Sequence, residues 1–212
     1  MPYSYPVLHV EPYHERPEWL NSATEVEEYM RLSPLADERE VELFLYVLLG
    51  ASDLELRPTP REMLQQFMAL DEEDGIALSG GIVFCENENR RILPSCCAGV
   101  EQIPEIIEDV INRQSPWLGH DPWPTITYEG EQAYVWPDHV SAQFPDSESL
   151  KIEASDEPPI VYAYKELLQS VRRCASELEG FIDGPLYLWL IANSPELAGA
   201  VSERLKRLLL QE

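Results

Sequence analysis

The residues best suited to chemistry in this chain lie in two short segments. One is Leu93–Gly99, LPSCCAG, and the other is Ser115–Pro122, SPWLGHDP. A thiol beside an imidazole can lose its proton near neutral pH and act as a nucleophile, with a carboxylate holding the ring in the required tautomer. Cys96 or Cys97 with His120, and Asp121 or Asp138 as the orienting acid, are the candidates for that chemistry. Cys96, Cys97 and His120 could also ligate zinc. Geometry argues against both uses, because consecutive side chains diverge in most backbones and adjacent cysteines lack the two-residue gap of common zinc knuckles. The same residues have a structural account. The thiols fill core near a helix start that Ser95 caps, Asp121 accepts backbone hydrogen bonds in a turn before Pro122, and His120 pairs with a neighbouring carboxylate. The sequence reading therefore assigns no metal, no cofactor and no catalytic set, and keeps Cys96, Cys97, His120 and Asp121 as candidates.

Trp117, Trp123 and Trp136 surround these residues and are the candidate binding positions. A proline-rich loop carrying bulky indoles is expected to pack on a sheet; left exposed, the same rings would form a binding hot spot. Other signatures are missing from the sequence. Ser79-Gly80-Gly81 has neither the spacing nor the lysine of a phosphate loop, and no HExxH, GxSxG, CxxC or EF-hand pattern occurs.

Charge restricts the partners. The 212 residues hold 39 Asp and Glu against 15 Lys and Arg, a formal net charge of −24. Only Lys151, Lys165 and Lys206 are lysines, and the arginines are dispersed. Phosphate backbones are bound through clustered cations, so neither nucleic acid nor an anionic membrane is an expected partner. Another protein, with a basic surface, is. The N-terminus lacks a basic segment followed by an apolar run, and no apolar stretch approaches the roughly 20 residues of a bilayer span. Four cysteines are too few for a disulfide scaffold in a chain of this size. The expected location is the cytoplasm, with reduced thiols.

The elements that must position the candidates follow from local patterns. Hydrophobic content of 44% argues for a folded core. Residues 1–20, rich in Tyr and Pro, are expected to be irregular but docked. Ser22–Glu25 has the form of a capping box and predicts a short helix to about Leu32. Ser33-Pro34 then restarts a helix that Gly50 closes, and Thr59-Pro60-Arg61-Glu62 opens another. From Ile76 the composition turns to β-formers. Ile76–Cys85 with Arg91–Pro94, and Thr125–Tyr128 with Gln132–Trp136, read as hairpins of one small antiparallel sheet, separated by a helix near Pro104. Residues 145–159 resemble an exposed connection. Helical spacing from Val161 to Leu178 predicts a helix stopped by Gly180. Pro185–Ile191 fits helix or strand, with helix preferred, and Ser194-Pro195-Glu196 opens the last helix. The fold class is α+β in a single domain: a helical part over 1–74, a sheet-containing part over 75–144 and a helical part over 159–212.

The segments RILPSCCAGVE, SPWLGHDP and GPLYLWLIANSPELA resemble motifs of an uncharacterised bacterial family of small acidic proteins. The likeness covers about the last two-thirds of the chain and implies no activity. A looser similarity, in class and charge alone, is to immunity proteins of bacterial toxin systems, acidic α+β domains that mask a basic toxin surface. Together these readings predict a non-enzymatic acidic module that binds another protein. The alternative is a small thiol- or histidine-dependent enzyme centred on Cys96, Cys97 and His120.

Overall fold

Local capping chemistry decides where the first helices start. In the computed structural model, which describes residues 1–11, 17–20, 27–52, 54, 57–71, 75–139 and 157–211, helix α1 spans Glu38–Ala51 and is opened by Asp37. The Asp37 carboxylate accepts from the backbone N–H of Arg39 (2.9 Å) and Glu40 (3.0 Å), while the Glu40 carboxylate accepts from the Asp37 N–H at 2.7 Å. This reciprocal box displaces the start expected at Ser33-Pro34. Those residues instead form a turn in which the Ala36 N–H donates to the Ser33 carbonyl at 3.0 Å, with Pro34 at the second position that favours its fixed φ. Helix α2 (Pro60–Ala69) opens as read, with the Thr59 hydroxyl accepting from the Glu62 N–H at 3.3 Å.

The chain divides into two compact units. The first comprises Met1–Pro6 and Ser79–Ala175, the second Val7–Leu78 and Ser176–Glu212. Strand β1 (Tyr3–His9) contributes to both. The N-terminal stretch is thus a strand where irregular chain was expected. In the second unit its Val7–His9 half pairs antiparallel with β2 (Tyr29–Arg31), Val7 opposite Arg31 and His9 opposite Tyr29. The helix expected up to Leu32 is therefore a strand at its end; its proposed cap, Ser22–Glu25, lies outside the described residues. Phe44 of α1 meets Phe181 edge-on, with centroids 5.0 Å apart.

In the first unit, β3 (Gly80–Asn87) pairs with β4 (Arg90–Ile92), Phe84 opposite Ile92. Gly80 to Cys85 are all buried, as suits a strand covered on both faces. Helix α3 (Ile103–Ile111) buries Ile103, Ile106 and Val110. Strands β5 (Thr125–Glu129), β6 (Gln132–Trp136) and β7 (Ile160–Ala163) make a separate antiparallel sheet with β6 in the middle. The single sheet expected from the sequence is thus two. Val161, read as helical, lies in β7. Pro158-Pro159 holds the approach extended, and Ile160 to Ala163 then alternate buried and exposed at the period of a strand. Tyr162 stacks edge-on with Phe84, and its hydroxyl donates to the Tyr3 carbonyl at 2.8 Å. Burial raises its phenol above the ordinary value.

Helix α4 (Tyr164–Phe181) follows β7 and crosses from the first unit to the second. It does not stop at Gly180. A π-helical turn, Ile182–Leu186, carries Pro185 and leads into α5 (Tyr187–Asn193), so the ambiguous run is helical. Gly180 serves close packing instead, since a Cβ there would stand 3.2 Å from Cβ of Pro34. Helix α6 (Ala198–Leu210) completes the second unit, with the buried Arg204 donating to the carbonyls of Met68 (3.2 Å) and Leu70 (3.0 Å). Those carbonyls lie at the C-terminal end of α2, where the helix dipole favours a cation. Most of the connection expected at 145–159 falls outside the described residues. No described helix is long and apolar enough to cross a membrane.

Candidate functional site

All the sequence candidates belong to the first unit. After β4 the chain turns back along β3. The Gly80 N–H donates to the Ala98 carbonyl at 3.0 Å, and Ser79 bridges Gly99. Pro94, Ala98 and Val100 are buried beneath this segment. Between them, the Ala98 N–H closes on the Ser95 carbonyl at 3.1 Å, which makes Cys96 and Cys97 the two central residues of a four-residue turn. Cys97 takes φ +65°, in the left-handed region. That conformation costs a residue with a Cβ about 1–2 kcal/mol, but it brings both thiols to one side. Their Sγ atoms stand 3.4 Å apart, and both residues are exposed. The divergence expected of neighbouring cysteines is thus reversed by a single backbone angle.

The second segment is tied to the first by two backbone hydrogen bonds. The Ser95 N–H donates to the Leu118 carbonyl and the His120 N–H to the Cys96 carbonyl, each at 3.0 Å. Cys96 and His120 are therefore directly opposed in an isolated antiparallel bridge, where facing side chains are natural neighbours. The buried side chain of Leu118 anchors the strand-like stretch. Gly119 makes the approach possible. It takes φ +96°, and a Cβ there would fall 2.7 Å from the backbone of Ser95 and Cys96.

One donor atom each from Cys96, Cys97 and His120 lies within 4.8 Å of the others. The Asp121 carboxylate stands 3.2 Å from Nδ1 of His120. Asp121 itself is at φ +55°, and its side chain is 82% exposed. The Trp117 indole N–H donates to the Cys97 carbonyl at 3.1 Å and so fixes the strained turn. Trp117 and Trp123 meet perpendicularly at 5.7 Å, and the His120 ring lies 6.1 Å from one and 5.7 Å from the other. Both indoles are half-buried rather than enclosed.

The fold thus gathers Cys96, Cys97, His120, Asp121, Trp117 and Trp123. It does not add Trp136, whose indole N–H donates to the Thr127 hydroxyl at 2.9 Å while its ring stacks on His139. Nor does it use Asp138 to orient His120: that carboxylate accepts from the Trp123 N–H at 3.1 Å. Ser95 starts the turn rather than capping a helix, and the Gly99 N–H is met by the Gln102 side-chain oxygen at 3.0 Å. Two contributors escaped the sequence reading. Gly119 had a visible signal, a glycine beside the candidate histidine; the backbone state of Cys97 had none.

The class defined so far is an α+β protein presenting a thiol–imidazole cluster at its surface. Comparison with protein-family models, with curated proteins and with solved structures finds no match to this chain.

Proposed function

We propose that the protein is a non-enzymatic, cytoplasmic binding module whose working surface is the Cys96–Cys97–His120 cluster flanked by Trp117 and Trp123. The observation that carries this reading is the convergence of three donor atoms within 4.8 Å from two separate segments. Their exposure favours binding over catalysis. A carboxylate that tunes a catalytic imidazole works from a buried position, whereas Asp121 is open to solvent. Half-buried indoles beside polar donors are the usual composition of a contact surface.

Charge supports a basic protein as the partner. Arg31, Arg61, Arg90, Arg113 and Lys206 are each taken by a carboxylate of the chain itself. The excess of acidic groups is left to set a negative field, which accelerates encounter with a cationic surface and repels phosphate backbones. Masking of a basic protein, in the manner of an immunity protein, is the form of this function that fits the charge.

The test is capture from an extract of the native host with wild-type protein and with Cys96→Ser, His120→Ala and Trp123→Ala, each confirmed folded by circular dichroism. The proposal expects a specific protein retained by wild type and lost by the cluster variants, with Glu62→Gln as an indifferent control. Retention of the same proteins by all variants would remove the cluster from the function. A second reading, a thiol- or histidine-dependent enzyme, is favoured by the bond between His120 and Asp121. It expects the rate of alkylation at Cys96 or Cys97 to fall at least about tenfold in His120→Ala, in keeping with general-base assistance.

A further inference from the structure

We propose that Cys96, Cys97 and His120 form a binding site for a thiophilic divalent cation of the zinc type, with three protein ligands and a fourth position open to solvent. This inference deepens the reading of the cluster as the working surface by naming its ligand.

The donor set suits the ion. Thiolate sulfur and imidazole nitrogen select zinc-like ions over magnesium or calcium, which take oxygen ligands. With zinc–sulfur bonds of about 2.3 Å, a tetrahedral centre separates two sulfurs by about 3.8 Å. The Sγ atoms of Cys96 and Cys97 stand 3.4 Å apart, a few tenths of an ångström from that separation, and one ring nitrogen of His120 lies within 4.8 Å of both. A trigonal centre of the same bond length would need a wider separation, about 4.0 Å, and fits less well. Two thiolates and a neutral imidazole balance a dication, each thiol giving its proton to solvent as its bond to the metal forms.

The surroundings match what such a site requires. A ligating histidine commonly donates its other ring N–H to a carboxylate, which fixes the tautomer. His120 has such a partner in Asp121, whose carboxylate stands 3.2 Å from its Nδ1. The Trp117 indole holds the carbonyl of Cys97, and the bridge between Cys96 and His120 locks the two segments in register. These contacts order the donors before any ion arrives. The exposure of both cysteines gives the ion a path from solvent.

Cobalt(II) titration of the reduced, full-length chain tests the proposal. One cobalt per chain is expected, with the thiolate-to-cobalt charge-transfer band and the intense d–d bands of a tetrahedral centre, bleached by stoichiometric zinc. Cys96→Ser, Cys97→Ser and His120→Ala should each weaken binding by more than the roughly 10- to 100-fold of an outer-shell change, which is the effect expected of Asp121→Asn. Cys85→Ala should leave the spectrum unchanged. Absence of the charge-transfer band, or its survival in both Cys96→Ser and His120→Ala, overturns the site. Capture from host extract with the same preparations separates the two readings. Loss of capture in the cluster variants without any cobalt band would sink the metal site and keep the working surface. A cobalt band with capture indifferent to the variants would do the reverse.

Discussion

Two pairs of cysteines share the first unit and are put to opposite uses. Cys85, on β3, is 2% exposed, and Cys174, on α4, is fully buried. Neither takes a left-handed backbone angle: Cys85 lies in β3 where its pairing with β4 shifts register, and Cys174 lies within α4. The Cys174 thiol donates to the Ser170 carbonyl one turn earlier at 3.3 Å and lies 3.5 Å from the Ser4 hydroxyl. Here sulfur serves as a small apolar filler with a weak donor. Cys96 and Cys97 stand on a turn in which one residue is left-handed, and both are exposed. No disulfide joins any of the four. Residue type is therefore a poor guide to a cysteine's role. What separates the pairs is whether the backbone is relaxed and enclosed, or strained, over-determined by its neighbours and open to water.

The most disruptive way to break this contrast is Gly119→Ala. A Cβ at 2.7 Å from the backbone of Ser95 and Cys96, on a residue at φ +96°, combines strain with overpacking. We expect a loss of about 2–4 kcal/mol in denaturant melts, with the Cys96–His120 bridge opened. A smaller effect separates the two pairs directly. Cys174→Ala should cost about 1–2 kcal/mol through lost core contacts, whereas Cys96→Ala should stay within about 0.5 kcal/mol of wild type, as surface changes do. Equal costs would mean that the exposed thiols also serve as packing. The smallest effect carries the opposite sign. Cys97→Gly removes the penalty of the left-handed residue and should raise stability by up to about 1 kcal/mol, partly offset by the greater freedom of glycine in the unfolded chain. The same variant should abolish cobalt binding. A residue kept at a cost to stability is what a functional turn requires.

Where local chemistry decides the structure, the sequence was legible. Thr59-Pro60-Arg61-Glu62 opened α2 because cap, proline and N–H partner lie within four residues. The β5–β6 hairpin was announced by Glu129-Gly130-Glu131, with Gly130 taking the positive φ of the turn. Strands β1 and β7 were missed because what defines them is pairing with β2 and β6, segments remote in sequence. The start of α1 was misplaced because two start signals competed, and the reciprocal box at Asp37 and Glu40 satisfies more donors than Pro34 can. At the site, residue types alone singled out Cys96, Cys97, His120 and Asp121. Their convergence depends on the backbone angle at Cys97 and the bridge to His120, and no pattern of neighbouring letters specifies either.

Alkylation of the native, reduced and metal-free protein, read cysteine by cysteine by mass spectrometry, tests the contrast between the two pairs most directly. The account predicts that Cys96 and Cys97 label at the rate of open thiols. Cys85 and Cys174 should label at least about 1,000-fold more slowly, through rare opening of the core. Labelling of Cys85 or Cys174 alongside the other pair, or protection of Cys96 and Cys97 in the folded chain, would contradict it.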